Sequence, residues 1–205
     1  MAITTYAELK TAVADFLNRD DLTSAIPNFI SLAEAGLNRD LRHWRQQRRV
    51  SSVADEQYEQ LPSDFIKAES ITISTSHGEK ALEFASIAEI SRRKTASNDQ
   101  AGEPVVFTYN AGQIEFVPAP DDSYPLTMVY YASLPTLSDS ETTNWMLTLY
   151  PDIYLYGALV HTAPYLTDDA RIQVWAALYQ SAIDAATRDS EQALYSGSPL
   201  VMRNK

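Results

Sequence analysis

The spacing of apolar residues changes twice along this chain, and those changes constrain its fold more than any other feature. Near the N-terminus an apolar residue recurs every three or four positions, which predicts a helix with a face formed by Tyr6, Leu9, Val13, Phe16 and Leu17. Thr5-x-x-Glu8 precedes this face with the spacing of a capping box. A second helix is predicted to begin between residues 23 and 27, with the apolar face Phe29, Ile30, Ala33, Leu37 and Leu41. Because the loop between them is short, the two helices are expected to pack antiparallel.

The middle of the chain has the pattern of short strands separated by turns. Strands are predicted at residues 48–53, 58–61, 71–74, 81–84, 105–109, 113–117 and 126–131. The second is a candidate hairpin partner of the first, and turns are indicated at residues 76–79 and 110–112. A short helix at 86–94 begins with another capping-box spacing, Ser86-x-x-Glu89. Six or seven such strands predict a small antiparallel sheet or a barrel-like module.

The last part of the chain is helical again. Pro151 suits the first position of a helix, and residues 153–160 are apolar nearly all round, which predicts a helix buried on several sides. A final helix is expected after Thr167, with Ile172, Trp175, Tyr179, Ala182 and Ala186 on its apolar face. Gly197 and Pro199 then exclude a continuing helix.

The predicted fold class is α+β and mainly helical, with N- and C-terminal helices packed together and a small central antiparallel β module. Residues 1–45 and 143–192 are assigned to a helical bundle domain. Residues 46–142 form an inserted β-rich module, and residues 193–205 form an extended C-terminal tail.

Charge is distributed unevenly along the chain. Sixteen Lys and Arg residues against 27 Asp and Glu give a net charge of −11, which argues against a generic nucleic-acid binder and against docking on an anionic membrane. Residues 95–170 contain no Lys or Arg and ten acids, namely Asp99, Glu103, Glu115, Asp121, Asp122, Asp139, Glu141, Asp152, Asp168 and Asp169. Because unpaired carboxylates are costly to bury, these acids are expected to face solvent, cations or the basic groups of another chain.

No constellation of residues predicts catalysis, a metal site or a cofactor. The chain has no Cys, which excludes disulfides, Cys-ligated zinc and a thiol nucleophile. His43, His77 and His161 lack metal-ligand spacing and are expected to be ordinary core or surface residues. The acidic pairs Asp20-Asp21, Asp121-Asp122 and Asp168-Asp169 suit loops, turns and a first helical turn. The chain is therefore predicted not to be an enzyme.

Three further features point to protein contacts. Arg39, Arg42, Arg45, Arg48 and Arg49 form one basic run, and the spacing of the first three predicts that they lie along one helix edge. Ion pairs with carboxylates, within the chain or across a subunit boundary, are favoured for this run over a nucleic-acid contact. Ten of the twelve tyrosines lie from Tyr109 onward, which suits either an interface or an aromatic core. The apolar run 200–202 could add to a neighbour's sheet edge or lie in its groove, or could be a frayed end.

Several sequence segments follow one another in an order that resembles the order found in a known protein family. These segments are IPNFISLAEAGLNRDLR, LPSDF, PVVFTYNAGQIEFVPAP, LTMVYYASLPTLS and NWMLTLYPDIYLYGAL, followed by a closing helix. Their succession is similar to that of the head-to-tail adaptor (connector) proteins of tailed bacteriophages, especially short-tailed ones. The resemblance covers roughly residues 6–190 and consists of packing and turn patterns.

The resemblance implies a structural virion protein of the neck, between capsid and tail, that is assembled in the host cytoplasm. Its partners would be further copies of itself in a ring, usually of twelve, the portal protein above and a tail or nozzle protein below. Such a ring extends the DNA channel, through which DNA passes without specific binding, and no membrane is involved. The resemblance supplies no catalytic residues.

Two sets of residues receive roles by this analogy. Portal binding is assigned to the tail residues Ser198, Pro199, Leu200, Val201, Met202, Arg203 and Asn204, and inter-subunit ion pairs to the arginine run. The alternatives are another neck, tail-tube or stopper component, or, in a different class, a hydrolase that uses an acidic pair.

Overall fold

The structure, a computed structural model, describes residues 2–19, 21–166 and 170–195. The described residues form the helices α1 (Tyr6–Leu17), α2 (Ile26–Asp40), α3 (Ile87–Ser97), α4 (Trp145–Leu149), α5 (Pro151–Val160) and α6 (Arg171–Tyr195). The strands are β1 (Gln47–Ala54), β2 (Tyr58–Gln60), β3 (Phe65–Thr75), β4 (Gly78–Ala81), β5 (Glu83–Phe84), β6 (Val106–Asn110), β7 (Gln113–Val117) and β8 (Tyr124–Ala132). With 44% helix and 25% strand, the predicted α+β, mainly helical fold class is confirmed.

The chain divides into two compact units. A helical unit comprises Met1–Arg45 and Leu134–Lys205, and a β unit comprises Gln46–Ser133. The second boundary of the β unit lies before Leu134, whereas the sequence placed it after residue 142. Helix α6 continues to Tyr195, three residues into the segment predicted to be an extended tail. The predicted tail residues 198–204 and Thr167 lie outside the described residues.

Helix α5 is the centre of the helical unit and contacts α1, α2 and α6. The helix is buried on several sides, as the sequence predicts, with Ile153, Tyr154, Ala158 and Leu159 inaccessible to solvent. Gly157 permits this packing, because a Cβ atom there would lie 3.0 Å from Tyr179 Cε2 of α6 and 3.2 Å from Ala33 Cβ of α2. The absence of a side chain therefore lets α5 approach both neighbouring helices closely.

A buried polar cluster links α2 to the segment that leads into α4 and α5. Glu34 Oε1 of α2 accepts hydrogen bonds from the Leu137 amide, at 2.8 Å, and from the Tyr154 hydroxyl, at 3.3 Å. The Asn144 side-chain amide donates to the Tyr154 hydroxyl, at 2.7 Å, and to the Pro135 carbonyl, at 2.8 Å. Asn144 also caps α4, since its Oδ1 accepts from the Leu147 amide. Burial raises the pKa of the Glu34 carboxyl, against the lowering effect of these hydrogen bonds.

The β unit is built in three layers. One sheet has the strand order β1-β8-β3-β4, and the second has the order β2-β7-β6-β5. Residues from both sheets, including Ile73, Met128 and Phe116, form a common hydrophobic core. The opposite face of the second sheet is covered by α3, where Ile90 packs with Val106 and Val117. All strand pairs are antiparallel except β5 with β6, which is parallel.

The predicted hairpin between residues 48–53 and 58–61 is wrong. Strand β1 pairs along its whole length with β8, from Gln47 opposite Tyr131 to Ala54 opposite Tyr124, while β2 pairs with β7 in the other sheet. Only three residues separate β1 from β2, and this connection changes sheets instead of closing a hairpin. Long-range pairing with β8 therefore overrides the local pattern, because it aligns eight residues where β2 provides three.

The predicted helix caps at Thr5 and Ser86 are present, but one predicted turn has a different length. The Thr5–Glu8 capping box is present in full. Ser86 caps α3 by accepting from the Glu89 amide, but the Glu89 carboxylate instead pairs with Arg92 and Arg93 on the same helix. The hairpin from β6 to β7 has a two-residue loop, with Ala111 as well as Gly112 at positive φ, rather than the predicted three-residue turn.

Replacing Glu34 tests the buried cluster. Glu34→Ala removes the acceptor of the buried Leu137 amide and is expected to lower the free energy of unfolding by about 1–3 kcal/mol. Glu34→Gln keeps an acceptor oxygen and is expected to retain most of that stability. Because the folded pKa of Glu34 is raised, its contribution is complete below the unfolded pKa and is lost as the pH rises through the folded pKa.

Urea unfolding between about pH 4 and pH 8 measures this effect. The wild-type protein is expected to lose stability over the window set by Glu34, and Glu34→Gln is expected to lose less. An unchanged pH dependence in the glutamine variant would contradict the assignment.

Candidate functional site

The basic run does not lie along one helix edge as predicted. Helix α2 ends at Asp40, because Leu41 is extended and its side chain is buried. Arg42 assists this ending, since its Nη1 donates to the Asn38 carbonyl at 2.9 Å and to the Leu41 carbonyl at 2.6 Å. Arg45 then lies in a 3₁₀ turn, and the last two arginines of the run lie in β1.

The five arginines differ in what they contact. The Arg45 guanidinium stacks over the Trp44 ring at 4.7 Å, and Arg48 Nη1 pairs with Asp64 Oδ2 at 2.6 Å. Arg39 and Arg49 are exposed, and among the described residues no carboxylate lies within ion-pair distance of either guanidinium. These two arginines are therefore the members of the run best placed to meet another chain. The inter-subunit role of the run stays a prediction.

His43 lies in an aromatic cluster within the helical unit. The ring is fully buried, 5.1 Å from the Trp145 ring and 5.7 Å from the Tyr150 ring. Its Nδ1 accepts from the Arg45 amide, and its Nε2 lies 3.3 Å from the Tyr150 hydroxyl, which donates to Asp189 of α6. Burial lowers the pKa of His43, while Asp189 acts in the opposite direction. This arrangement holds the backbone immediately before the β unit in place.

The acidic segment 95–170 is partly neutralised within the chain. Lys10 pairs with Asp139 at 2.7 Å, Lys80 with Glu103 at 2.6 Å and Lys94 with Glu115 at 2.5 Å. The remaining acids described in this segment are exposed, namely Asp99, Asp121, Asp122, Glu141 and Asp152. The expectation that all its acids face solvent or another chain is thus wrong for Glu115.

Glu115 is buried in β7, on the face that α3 covers. Besides Lys94, its carboxylate accepts from the Asn110 side-chain amide at 2.9 Å and the Tyr58 hydroxyl at 3.3 Å. Burial alone would raise the pKa of Glu115, but these three donors outweigh it and lower the pKa. The carboxylate therefore stays ionised and joins α3 to the second sheet.

The tyrosine-rich half of the chain is mainly core. Of the ten tyrosines from Tyr109 onward, all but Tyr165 and Tyr195 are buried or half-buried. Tyr154 is inaccessible to solvent and is the largest of the fully buried side chains described. This distribution favours the aromatic-core interpretation over the interface interpretation for most of them.

The acidic pairs show no paired-carboxylate geometry that the structure describes. Asp21 is bonded to Arg19, Asp121 accepts from the Tyr124 hydroxyl at 2.6 Å, and Asp122 accepts from the Ser123 amide. Asp20, Asp168 and Asp169 lie outside the described residues. Within residues 2–19, 21–166 and 170–195, no group of three or more metal-ligating side chains is found. In the same part of the chain no helix is both long and apolar enough to cross a bilayer.

The β unit contains a groove that was not predicted from the sequence. The groove has a volume of about 330 Å³ and lies between residues of β3 and β5, with Phe84, Phe107 and Tyr109 among its lining residues. Phe84 is 61% exposed, an unusual state for a phenylalanine in a strand. The strand predicted at residues 81–84 includes Phe84, but the structure divides this segment between the end of β4 and β5. No sequence pattern indicated that these residues line a groove.

A comparison with family models assigns the chain to a class of phage structural proteins. Residues 4–203 match the model described as SU10 adaptor protein, which spans nearly the whole chain. The chain therefore belongs to the SU10 adaptor protein family, a family of bacteriophage head-to-tail adaptors. A comparison with curated proteins found no match.

Family membership establishes the coarse role of the protein. It is a structural component of the head-to-tail adaptor type, located at the neck of the virion, where it interacts with other virion components. The resemblance inferred from the sequence is thereby confirmed.

Replacing Lys94 tests the buried pair with Glu115. Lys94→Met leaves a buried carboxylate without its cation and is expected to lower the free energy of unfolding by about 3 kcal/mol at neutral pH. Arg92→Met is the control, because Arg92 is an exposed partner of Glu89 on the same helix and its loss is expected to cost less than about 1 kcal/mol.

Acid should reduce the effect of Lys94→Met. Since the folded pKa of Glu115 is lowered, the pair contributes stability above the unfolded pKa, and that contribution is lost as the pH falls through the folded pKa. Denaturant unfolding of both proteins over the acidic range checks this. A stability difference that is independent of pH would show that Lys94 acts only through packing.

Proposed function

We propose that this protein forms a closed homo-oligomeric ring beneath the portal, extends the DNA channel and provides the docking platform for a tail or nozzle protein. The observation that carries the proposal is the match of residues 4–203 to the adaptor family. The resemblance implies that the ring contains twelve copies. It also implies that the ring is assembled in the host cytoplasm. In this proposal the protein acts structurally, without a catalytic step.

The charge distribution supports a head-to-tail interface between copies. Arg39 and Arg49 are exposed cations without carboxylate partners among the described residues, while Asp99, Asp121 and Asp122 are exposed acids. In a ring each copy presents two different surfaces to its two neighbours, so a basic surface on one side and an acidic surface on the other are complementary. We assign Arg39, Arg42, Arg45, Arg48 and Arg49 to ion pairs between subunits, with Arg39 and Arg49 as the cations that have no carboxylate partner among the described residues.

The acidic balance also suits a DNA channel. A net charge of −11 per copy disfavours adhesion of the phosphate backbone, which would otherwise slow passage of the genome. DNA is therefore expected to pass through the ring without specific binding.

Light scattering on the chain with and without its phage's portal protein tests the ring. The chain alone is expected to be monomeric or weakly associated, and co-expression with the portal is expected to yield a complex whose mass corresponds to a ring on the portal. A persistent monomer with hydrolase activity would contradict the proposal. A ring that binds tail proteins but not the portal would instead indicate a stopper or tail-tube component.

Charge reversal at the free arginines tests the interface. Arg39→Glu combined with Arg49→Glu places acids against an acidic neighbour and is expected to weaken ring formation on the portal at least about tenfold. Arg92→Glu is the matched control, since Arg92 is also exposed but pairs with Glu89 in its own helix. Light scattering of the portal complex gives the readout. Equal loss in both proteins would show that only net charge matters.

Deletion of residues 198–205 tests the assignment of Ser198–Asn204 to the portal. The shortened chain keeps all of α6 and is expected to fold but to lose portal binding in a co-purification assay. Circular dichroism of the shortened chain controls for folding. Portal attachment that is unchanged by the deletion would make the assignment wrong.

A further inference from the structure

Strand β1 is a free edge of the β unit. It is the terminal strand of its sheet and pairs with β8 along its eight residues. Among the described residues no strand pairs with β1 on its other side. Its middle residues Ser51, Ser52 and Val53 are exposed. An exposed row of backbone N–H and C=O groups of this length can pair with a strand of another chain.

The charge pattern of this edge is complementary to itself. Residues 48–56 read Arg-Arg-Val-Ser-Ser-Val-Ala-Asp-Glu, with two basic residues at one end, two acidic residues at the other and uncharged residues between them. When two copies of this segment run antiparallel about Ser52, Arg49 of each copy lies opposite Asp55 of the other. Opposed charges of unlike sign stabilise a strand pair, whereas opposed like charges destabilise it. The segment therefore favours an antiparallel copy of itself.

The charged side chains at both ends of the segment are accessible. Arg49, Asp55 and Glu56 are exposed, and among the described residues no group of opposite charge lies within ion-pair distance of them. Arg48 is exposed too, but it already pairs with Asp64. Arg49 and Asp55 are therefore the two residues best placed to select the register of a second strand.

The acidic end of the segment is crowded with carboxylates. Glu59 of β2 lies close to Asp55 and Glu56, and burial together with these two charges raises the pKa of the Glu59 carboxyl. A cation supplied by another chain would relieve this repulsion. In the antiparallel register that cation is Arg49 of the second copy.

The same register places opposed side chains on the same face of the joined sheets. Side chains alternate between the two faces of a strand, so residues equally distant from Ser52 lie on the same face. Val50 and Ala54, two positions from Ser52, contact the core between the sheets. Arg49 and Asp55, three positions from Ser52, share the outward face. The ion pair is therefore compatible with a continuous antiparallel sheet.

A second groove of the β unit lies beside this edge. It has a volume of about 190 Å³ and lies between β1 and β2, with Val50, Ser52, Ile114, Phe116 and Met128 among its lining residues. The two sheets are therefore not closed against each other on this side. A strand added to β1 places its inward side chains over the opening and covers these core residues.

We propose that β1 binds β1 of a second copy of this chain, antiparallel and centred on Ser52, so that the free protein forms a dimer. The backbone groups of the two edges bond to each other, and an Arg49–Asp55 pair at each end sets the register. A contact of two-fold symmetry closes at two copies and differs from the head-to-tail contacts of a ring. The inference thus goes beyond the proposed function. Because Arg49 serves both contacts, the dimer has to separate before the ring forms.

Sedimentation equilibrium of the free full-length chain tests the dimer through an exchange of charges. Arg49→Asp alone and Asp55→Arg alone each oppose like charges and are expected to raise the dissociation constant at least about tenfold. The doubly substituted chain again opposes unlike charges, with reversed polarity. Its dissociation constant is expected to return to within about threefold of the wild-type value.

The net charge is controlled in this experiment. The two single substitutions change it in opposite directions, so only a contact between these two residues is weakened by both. Arg92→Asp is the matched control, because it changes the net charge as Arg49→Asp does but replaces an exposed arginine that pairs with Glu89. It is expected to leave the dissociation constant unchanged. A monomer at every concentration, or a double variant as weak as the single ones, would overturn the proposal.

A single cysteine tests the register, because the chain contains none of its own. The proposed axis passes through the strand pair at Ser52, so the thiols of Ser52→Cys in two copies face each other at a separation that a disulfide can bridge. Under mild oxidation, covalent dimers are expected to form at least about tenfold faster than for the control Ser70→Cys. Ser70 is likewise an exposed serine of this sheet, but on β3.

Gel electrophoresis without reductant measures both rates. Adding Arg49→Asp to Ser52→Cys is expected to slow the cross-link, since the same ion pair sets the register. Equal rates for Ser52→Cys and Ser70→Cys would overturn the proposal, because a contact of β1 with any other strand does not bring two copies of residue 52 together. No portal is present in either experiment, so failure here leaves the test of the ring unaffected.

Discussion

The helical unit depends on one buried carboxylate. Glu34 projects from α2, and its oxygen holds the Leu137 amide and the Tyr154 hydroxyl, so that a non-helical segment and α5 are positioned by the same atom. Asn144 completes the arrangement by bonding to Tyr154 and capping α4. Buried polar groups that are fully bonded specify one packing arrangement, because any alternative leaves some of them without partners. Hydrophobic burial alone would not fix the path of residues 134–144 so closely.

The helical part of the fold could be predicted because its signals are local. The Thr5–Glu8 capping box, Pro151 at a helix start and the apolar run 153–160 each depend on residues within a few positions of one another. The strand pairing could not be predicted in the same way. Strand β1 and strand β8 are separated by about seventy residues, and nothing within 48–53 identifies its partner. Register and partner choice depend on the packed core, in which Ile73, Met128 and Phe116 meet only after both sheets have formed.

The surfaces were harder to predict than the core. The spacing of Arg39, Arg42 and Arg45 is typical of a helix, but α2 ends at Asp40, where Arg42 donates hydrogen bonds to the carbonyls of Asn38 and Leu41. Arg39 therefore lies in a helix, Arg42 in the irregular segment that follows it and Arg45 in a 3₁₀ turn. Composition likewise suggested that the acidic segment would face outward, although Glu115 is buried with Lys94. Counting charges along the sequence identifies a surplus, but tertiary contacts determine which charges remain available to a partner. The groove beside Phe84 had no sequence signal, since it depends on where paired strands stop.

The pairing of β1 with β8 has a consequence for the modularity of this protein. The β unit begins at Gln46 and ends at Ser133, and Gln47 lies directly opposite Tyr131 in the ladder. The two chain connections to the helical unit are therefore about one strand spacing apart, near 5 Å. An insertion whose ends are so close can be lengthened, shortened or exchanged without altering the path of the surrounding chain. Evolution can thus vary the β unit as a cassette while the helical unit keeps its core.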